Sequence, residues 1–289
     1  MRHAVLGAGG VGGLIAAALA AGGQEVTLLV RTSHPSEIEL TRPGGGIVRA
    51  AVGVARRLAA PVDVLWLAVK AVDLAPALAA LPDAPAAAIV PLLNGVDHLD
   101  ALRARFGDRV VAATIRVESE RVAPGRIVVR SPFMKVELAA SAADRLQEAV
   151  EALRAFGVEC NFQRDEPTLM RSKLAFLAPF ALTTSAAAAP AGDVLGDPAW
   201  RSLLEACAHE ACAVGAAEGA DLDAAAILAN FRRVLPSMQS SMQKDVAAGR
   251  EPELDAIAGP ILRGGARHGI EVPATRSLVA RVTARRARS

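Results

Sequence analysis

The sequence predicts an α/β domain built on a parallel sheet, followed by an all-α domain, and three observations carry that prediction. A glycine cluster, Gly7-Ala8-Gly9-Gly10-Val11-Gly12, stands between a short apolar strand and a run of helix formers. Two further runs, Val62 to Val69 and Ala87 to Leu92, are almost wholly apolar, as strands buried on both faces must be. Beyond Asp165-Glu166-Pro167 no strand pattern remains, only helical ones. The predicted domains are therefore 1–164 and 165–289.

The glycine cluster sets the chemistry of the first domain. His3-Ala4-Val5-Leu6 precedes it, and Leu14 to Ala21 follows as a helix stopped by Gly22-Gly23. Strand, turn and helix in that order are the context a dinucleotide fingerprint needs. Gly7 makes the tight turn, Gly9 lets the backbone approach a pyrophosphate, and Gly12 lets helix and strand pack closely. The helix N-terminus faces the phosphates with free N–H groups. Gly10 is counted with the cofactor-binding loop, although it and Gly13 also suit a chain rich in Gly and Ala. The domain is read as a Rossmann-like, dinucleotide-binding one.

Composition bounds what else the chain can be. Lys plus Arg is 32 against 30 for Asp plus Glu, and a net charge near +2 gives no electrostatic case for nucleic acid. At 52% hydrophobic residues, a disordered chain is excluded. Residues 4–23 carry no charge and follow Arg2, so they could pass for a signal peptide or a membrane span. Four glycines would break that helix, and a strand follows at once. Residues 174–192 are interrupted by Pro179 and Pro190, so no membrane partner is expected. Three cysteines, Cys160, Cys207 and Cys212, form no disulfide framework and point to the reducing cytoplasm. On one helix Cys207 and Cys212 lie about 140° apart. They are read as small buried residues, His209 notwithstanding, and no metal is expected.

Along the α/β half, the second strand runs from Glu25 to Val30 and ends at Arg31. Where NAD-binding folds keep an acidic residue for the ribose, this chain has a guanidinium, which suits a 2′-phosphate. NADPH is the expected cofactor; an arginine that merely closes an exposed strand end is the alternative. Gly44 to Gly46 and the alternation after them suggest a third, edge-like strand region. The Val62 to Val69 strand ends at Lys70, placed where such sheets bind cofactors, and a helix reaches to about Leu81. The next strand leads into Asn94-Gly95-Val96-Asp97. Asn-Gly is a turn by default, but at that strand end Asn94 can also face a nicotinamide. Val110 to Arg116 and Arg126 to Arg130 read as strands around the turn Ala123-Pro124-Gly125, with another at Val136 to Leu138. A helix over 143–156 and a strand from Val158 to Phe162 close the domain.

In the second half, helices are predicted over roughly 167–186, 198–219, 222–235, 238–248, 252–268 and 273–286. The end rich in arginine (Arg281, Arg285, Arg286, Arg288) reads as a solvated helix end. Three stretches are more polar than packing requires: Arg171-Ser172-Lys173, Ser240 to Asp245, and Glu253-Leu254-Asp255. By spacing alone they could equally be a helix start, a cap and an acidic first turn.

Taken together, these motifs resemble the ketopantoate reductase family of NADPH-dependent 2-dehydropantoate 2-reductases. The resemblance runs through Gly7–Gly12, Arg31, Val69-Lys70-Ala71, Leu93-Asn94-Gly95 and Lys173-Leu174. It continues through Ser240-Ser241-Met242, Asp245, Gly249-Arg250, Glu253-Leu254-Asp255, Gly259, Gly269-Ile270 and Pro273. It implies that Lys173 is the general acid and that Glu253 positions the lysine and binds the substrate's hydroxyl. It further implies that Asn94 contacts cofactor and substrate, that Ser241 holds the substrate carboxylate, and that the helical domain forms a homodimer.

The chain also departs from the family pattern. Leu177 and Ala181 stand where the family usually has asparagines, Arg171 where Trp is common, and Pro252 where Thr precedes the glutamate. On a helix, 177 and 181 share a face with 173, so both are expected to line the substrate cleft, unless Pro179 kinks the helix or Thr183, Thr184 or a water takes over the clamp. A 2-oxo acid, a more apolar ketone or imine, and a dinucleotide-binding protein without turnover are the three functional readings.

Overall fold

A computed structural model of the chain describes residues 1–287; Arg288, read above as part of a solvated helix end, lies outside them. The chain divides into two compact units. One comprises Met1–Leu93 with His98–Arg164, and the other Asn94–Asp97 with the residues from Asp165 onward. The four residues after Leu93 thus cluster with the helical half.

The first unit begins with β1 (Arg2–Leu6), α1 (Gly10–Ala21), β2 (Glu25–Leu29), β3 (Glu37–Thr41), β4 (Ile47–Ala51) and β5 (Gly53–Ala55). It continues through β6 (Val62–Leu67), α2 (Leu74–Ala79), β7 (Ala86–Pro91) and α3 (His98–Phe106). Then come β8 (Ala113–Arg116), β9 (Ser119–Ala123), β10 (Arg126–Val129), β11 (Lys135–Ala139), α4 (Ala143–Phe156) and β12 (Glu159–Gln163). A five-stranded parallel sheet runs β5-β2-β1-β6-β7. Two smaller mixed sheets, β4-β3-β10-β9 and β12-β11-β8, accompany it.

Helix α1 explains the uncharged stretch near the N-terminus. It packs on β1 and β2 with one side and on β3, β4, β9 and β10 with the other, so every residue from Gly12 to Leu19 is buried. A helix apolar all round is what such a sandwiched position demands. No described helix is long and apolar enough to cross a membrane.

Three departures from the predicted strands have local causes. Glu37–Thr41 alternates charge with apolar side chains and is a strand missed in the sequence; it pairs antiparallel with Ile47–Ala51 across the glycine turn and founds a second sheet. Ser119–Ala123 is too polar to read as a strand, yet it is the hairpin partner of β10. Val110 to Arg116, expected beside that turn, instead supplies β8, which pairs with β11. Helix α3, whose buried face is Leu99, Leu102 and Phe106, also escaped prediction.

The second unit contains α5 (Glu166–Ala187), α6 (Ala191–Gly196), α7 (Pro198–Ala217), α8 (Ala224–Phe231), α9 (Ser241–Ala247), α10 (Leu254–His268) and α11 (Pro273–Arg286). Short α6 was not predicted. Asp165 caps α5 by accepting from the Thr168 N–H at 3.2 Å, with a proline in the first turn where its missing N–H costs nothing. All the other helices pack against α5, which makes it the core of the unit. The helix continues through Pro179 as a single element.

Candidate active site

The fingerprint loop has a built geometry. Gly7 sits at φ +106°, and a Cβ there would come within 2.7 Å of the Ala68 carbonyl oxygen. At Gly12 a Cβ would collide with the Gly7 carbonyl, so the helix start can close on the turn only as glycine. Gly9 is different. Nothing lies within 4 Å of where its Cβ would stand, leaving open space against the backbone at the head of α1. No side chain caps that helix, so its first N–H groups remain available to an anion. The loop therefore fits a dinucleotide pyrophosphate. Gly10, counted with the cofactor residues, also packs closely on β9. A Cβ there would strike the Ser119 carbonyl, and the Ser119 hydroxyl donates to the Gly10 carbonyl at 2.9 Å. Gly13 faces the end of the Ile127 side chain, so of the two spare glycines Gly10 is the one that backbone packing requires.

Arg31 follows β2 with its side chain 83% exposed and pairs with Asp73 at 3.3 Å. Asp73 closes a short 3-10 turn, Ala71–Asp73, that Lys70 opens, and Lys70 is itself exposed. A cationic pair of residues and one carboxylate thus border the strand ends of the parallel sheet.

In the helical unit, three of the predicted residues form a hydrogen-bonded chain. Lys173 Nζ on α5 donates to Asn94 Oδ1 at 3.0 Å, and Asn94 Nδ2 donates to Glu253 Oε2 at 3.0 Å. An ammonium is donor only and a carboxylate acceptor only, so the two partners dictate which end of the amide faces which. Glu253 precedes α10 and is 9% exposed. Asn94 is brought to it by Gly95, at φ +82°, where any Cβ would collide with the Ala256 carbonyl of α10. The turn dipeptide is thus docked on the helix start. Asn94, expected to face the cofactor, has both amide ends directed at Lys173 and Glu253.

The remaining predicted residues are placed less uniformly. Leu177, one turn after Lys173, keeps part of its surface, but Ala181 is only 1% exposed and has almost none to offer a ligand. Thr183 and Thr184 cannot replace a polar clamp. Both are buried, with their hydroxyls donating to the Pro179 and Phe180 carbonyls at 2.6 and 2.8 Å. Ser241 is exposed at the start of α9, whereas Ser240 is buried, caps the Gln243 N–H and meets the Thr184 hydroxyl at 2.9 Å. Arg171 forms a salt bridge with Glu218, which also pairs with Arg267. The cysteines are buried; burial pushes the Cys207 thiol up to about 12 and the Cys212 thiol up to about 11. Among the described residues no three His, Cys, Asp or Glu side chains gather as a metal-holding group.

Sequence reasoning missed Asp73 as a partner of Arg31 and missed Arg263 altogether. Arg263 bonds Asp97, 166 residues away, and no local pattern could have signalled that pairing.

Two family models match the chain: "Ketopantoate reductase PanE/ApbA" over residues 3–143 and "Ketopantoate reductase PanE/ApbA C terminal" over 167–286. A 2-dehydropantoate 2-reductase of Caulobacter vibrioides is 34% identical over 97% of this chain and 98% of its own. Among solved structures, a PanE/ApbA family ketopantoate reductase from Ralstonia eutropha superposes with a TM-score of 0.88 at 26% identity, covering 100% of this chain and 99% of the other. D-mandelate dehydrogenase, in a ternary structure with NADH and anilino(oxo)acetate, shares the fold at a TM-score of 0.87 and 19% identity, over 100% and 99% of the two chains.

Proposed function

The chain belongs to the ketopantoate reductase family of oxidoreductases, and from that premise we propose that it reduces the carbonyl of a 2-oxo acid with NADPH, using Lys173 as the proton donor. The hydrogen-bonded chain from Lys173 through Asn94 to Glu253 carries the reading. NADPH supplies the hydride when bound. The protein's part is to hold a proton where the carbonyl oxygen gains negative charge. The Lys173 ammonium does so, with the Asn94 carbonyl fixing its direction and the Glu253 carboxylate fixing Asn94. Gly9 and the head of α1 hold the pyrophosphate, and Arg31 with Lys70 takes the 2′-phosphate.

Leu177 favours a second reading within the same chemistry. With Ala181 buried and both threonine hydroxyls engaged, the α5 face beside Lys173 offers carbon and no hydroxyl clamp. A 2-oxo acid, ketone or imine with an apolar side chain suits that face better than ketopantoate. The test is NADPH oxidation with ketopantoate and a panel of apolar 2-oxo acids and imines, for wild type and Lys173→Ala. Turnover that survives Lys173→Ala would overturn the mechanism, and absence of turnover with every carbonyl would overturn the reductase reading.

A further inference from the structure

Arg263 lies on α10, ten residues beyond Glu253 in the chain, yet it ties together the two segments that carry Asn94 and Glu253. Its Nε and one terminal nitrogen donate to Asp97 Oδ2 at 3.0 and 2.6 Å. Its other terminal nitrogen donates to Asp255 Oδ1 at 2.7 Å. Asp97 is three residues after Asn94, and Asp255 two after Glu253. Gly259 leaves room for it: a Cβ there would crowd the Arg263 guanidinium in the position it takes along its own helix. Donating to Asp255, and then to Asp97, holds the guanidinium well above its ordinary range.

We infer that Arg263 is a positioning residue, a staple that keeps the Asn94–Asp97 turn seated on the start of α10 so that Asn94 can aim Lys173. This rests on the reading of Lys173 proposed above. The three side chains are roughly half exposed or more, at 47%, 46% and 83%. Exposed ion pairs add little to global stability, so the staple acts on local order: a planar fork gripping two carboxylates fixes direction as well as distance. A shift of about 1 Å at a proton donor's support can cost about a hundredfold in rate.

The test compares wild type, Arg263→Ala and Arg263→Lys by hydrogen–deuterium exchange of the peptide spanning residues 94–97, by thermal melting, by NADPH affinity and by turnover. Arg263→Ala is expected to exchange about tenfold faster at 94–97 and to lose tenfold or more in kcat, with NADPH affinity and melting temperature nearly unchanged. Lysine should restore part of the loss, since one ammonium can hold one carboxylate but lacks the fork. On an Asn94→Ala background, Arg263→Ala should add less than twofold, because it acts through that amide. Unchanged exchange at 94–97, or an equal kcat loss on the Asn94→Ala background, would overturn the inference. If Lys173→Ala proves silent instead, the reductase mechanism fails while the exchange measurement still decides the staple.

Discussion

Lys173 Nζ and Asn94 Oδ1 stand 3.0 Å apart although 79 residues separate them, and the same amide reaches Glu253 with its nitrogen. The amide orientation follows from the chemistry of its partners, so Asn94 converts a carboxylate's position into a lysine's direction. Lys173→Ala is expected to lower turnover by about 10²–10⁴-fold while NADPH affinity holds. Asn94→Asp keeps an acceptor for Lys173 but loses the amide donor to Glu253 and sets a second carboxylate against it, which is repulsive. Its kcat should fall below that of wild type. Steady-state kinetics checks both variants.

The fingerprint glycines separate by what surrounds them. Gly12→Ala forces a methyl into the Gly7 carbonyl and should destabilise or unfold the first unit. Gly9→Ala meets nothing within 4 Å and should melt like wild type. It should nevertheless bind NADPH at least tenfold more weakly, because the methyl occupies the space the pyrophosphate needs. Calorimetry and a binding titration on the two variants test the distinction.

Cofactor choice should respond to the Arg31–Asp73 pair. With Arg31 in its proposed role on the 2′-phosphate, Arg31→Ala should weaken NADPH by roughly ten- to a hundredfold, with little effect on NADH. Asp73→Asn releases Arg31 from its partner and removes a negative charge from the same corner. NADPH should then bind about two- to fivefold more tightly, less so at high salt. Equal losses for both cofactors in Arg31→Ala would show that the arginine serves only the fold.

Leu177 and Ala181 should behave differently under the same substitution. Leu177→Asn, on a partly exposed face, is expected to fold and to raise the kcat/KM ratio of ketopantoate over its analogue lacking the hydroxyl. Ala181→Asn puts a bulky amide at a site that is 1% exposed, and an unpaired buried amide costs about 1–3 kcal/mol before any overpacking. A lowered melting temperature for the second variant alone is the expected outcome.

Stability should fall with acid through His3. Burial holds its imidazole down to about 4 from an ordinary 6.5, neutral beside Trp66, whose Nε1 donates to His3 Nδ1 at 3.3 Å. Between those two values the unfolded chain takes up a proton that the folded one refuses. Stability is therefore full above about 6.5 and declines as pH drops toward 4, by at most about 1.4 kcal/mol per pH unit. His3→Gln should flatten the slope between pH 6.5 and 5, above the range where carboxylates titrate. Denaturant midpoints at those two pH values measure it.

Much of this protein was legible in the sequence, because its signals are local. Gly7 to Gly12 declares a dinucleotide loop through its spacing and its place between a strand and a helix, and the apolar runs Val62 to Val69 and Ala87 to Leu92 declare a buried parallel sheet. The helical half shows itself by period and by its caps, such as Asp165 before Pro167. Leu177 and Ala181 were visible as departures through the family resemblance, and helical spacing ties them to the face of Lys173. Tertiary structure decided the rest. Polar strands such as Ser119–Ala123 exist only because a partner accepts their hydrogen bonds, which composition does not encode. Burial separates Ala181 from Leu177, and Ser240 from Ser241, although spacing treats each pair alike. Arg263 finds Asp97 across 166 residues, as Lys173 finds Asn94 across 79, because the fold closes those loops and the chain's local pattern carries no record of it.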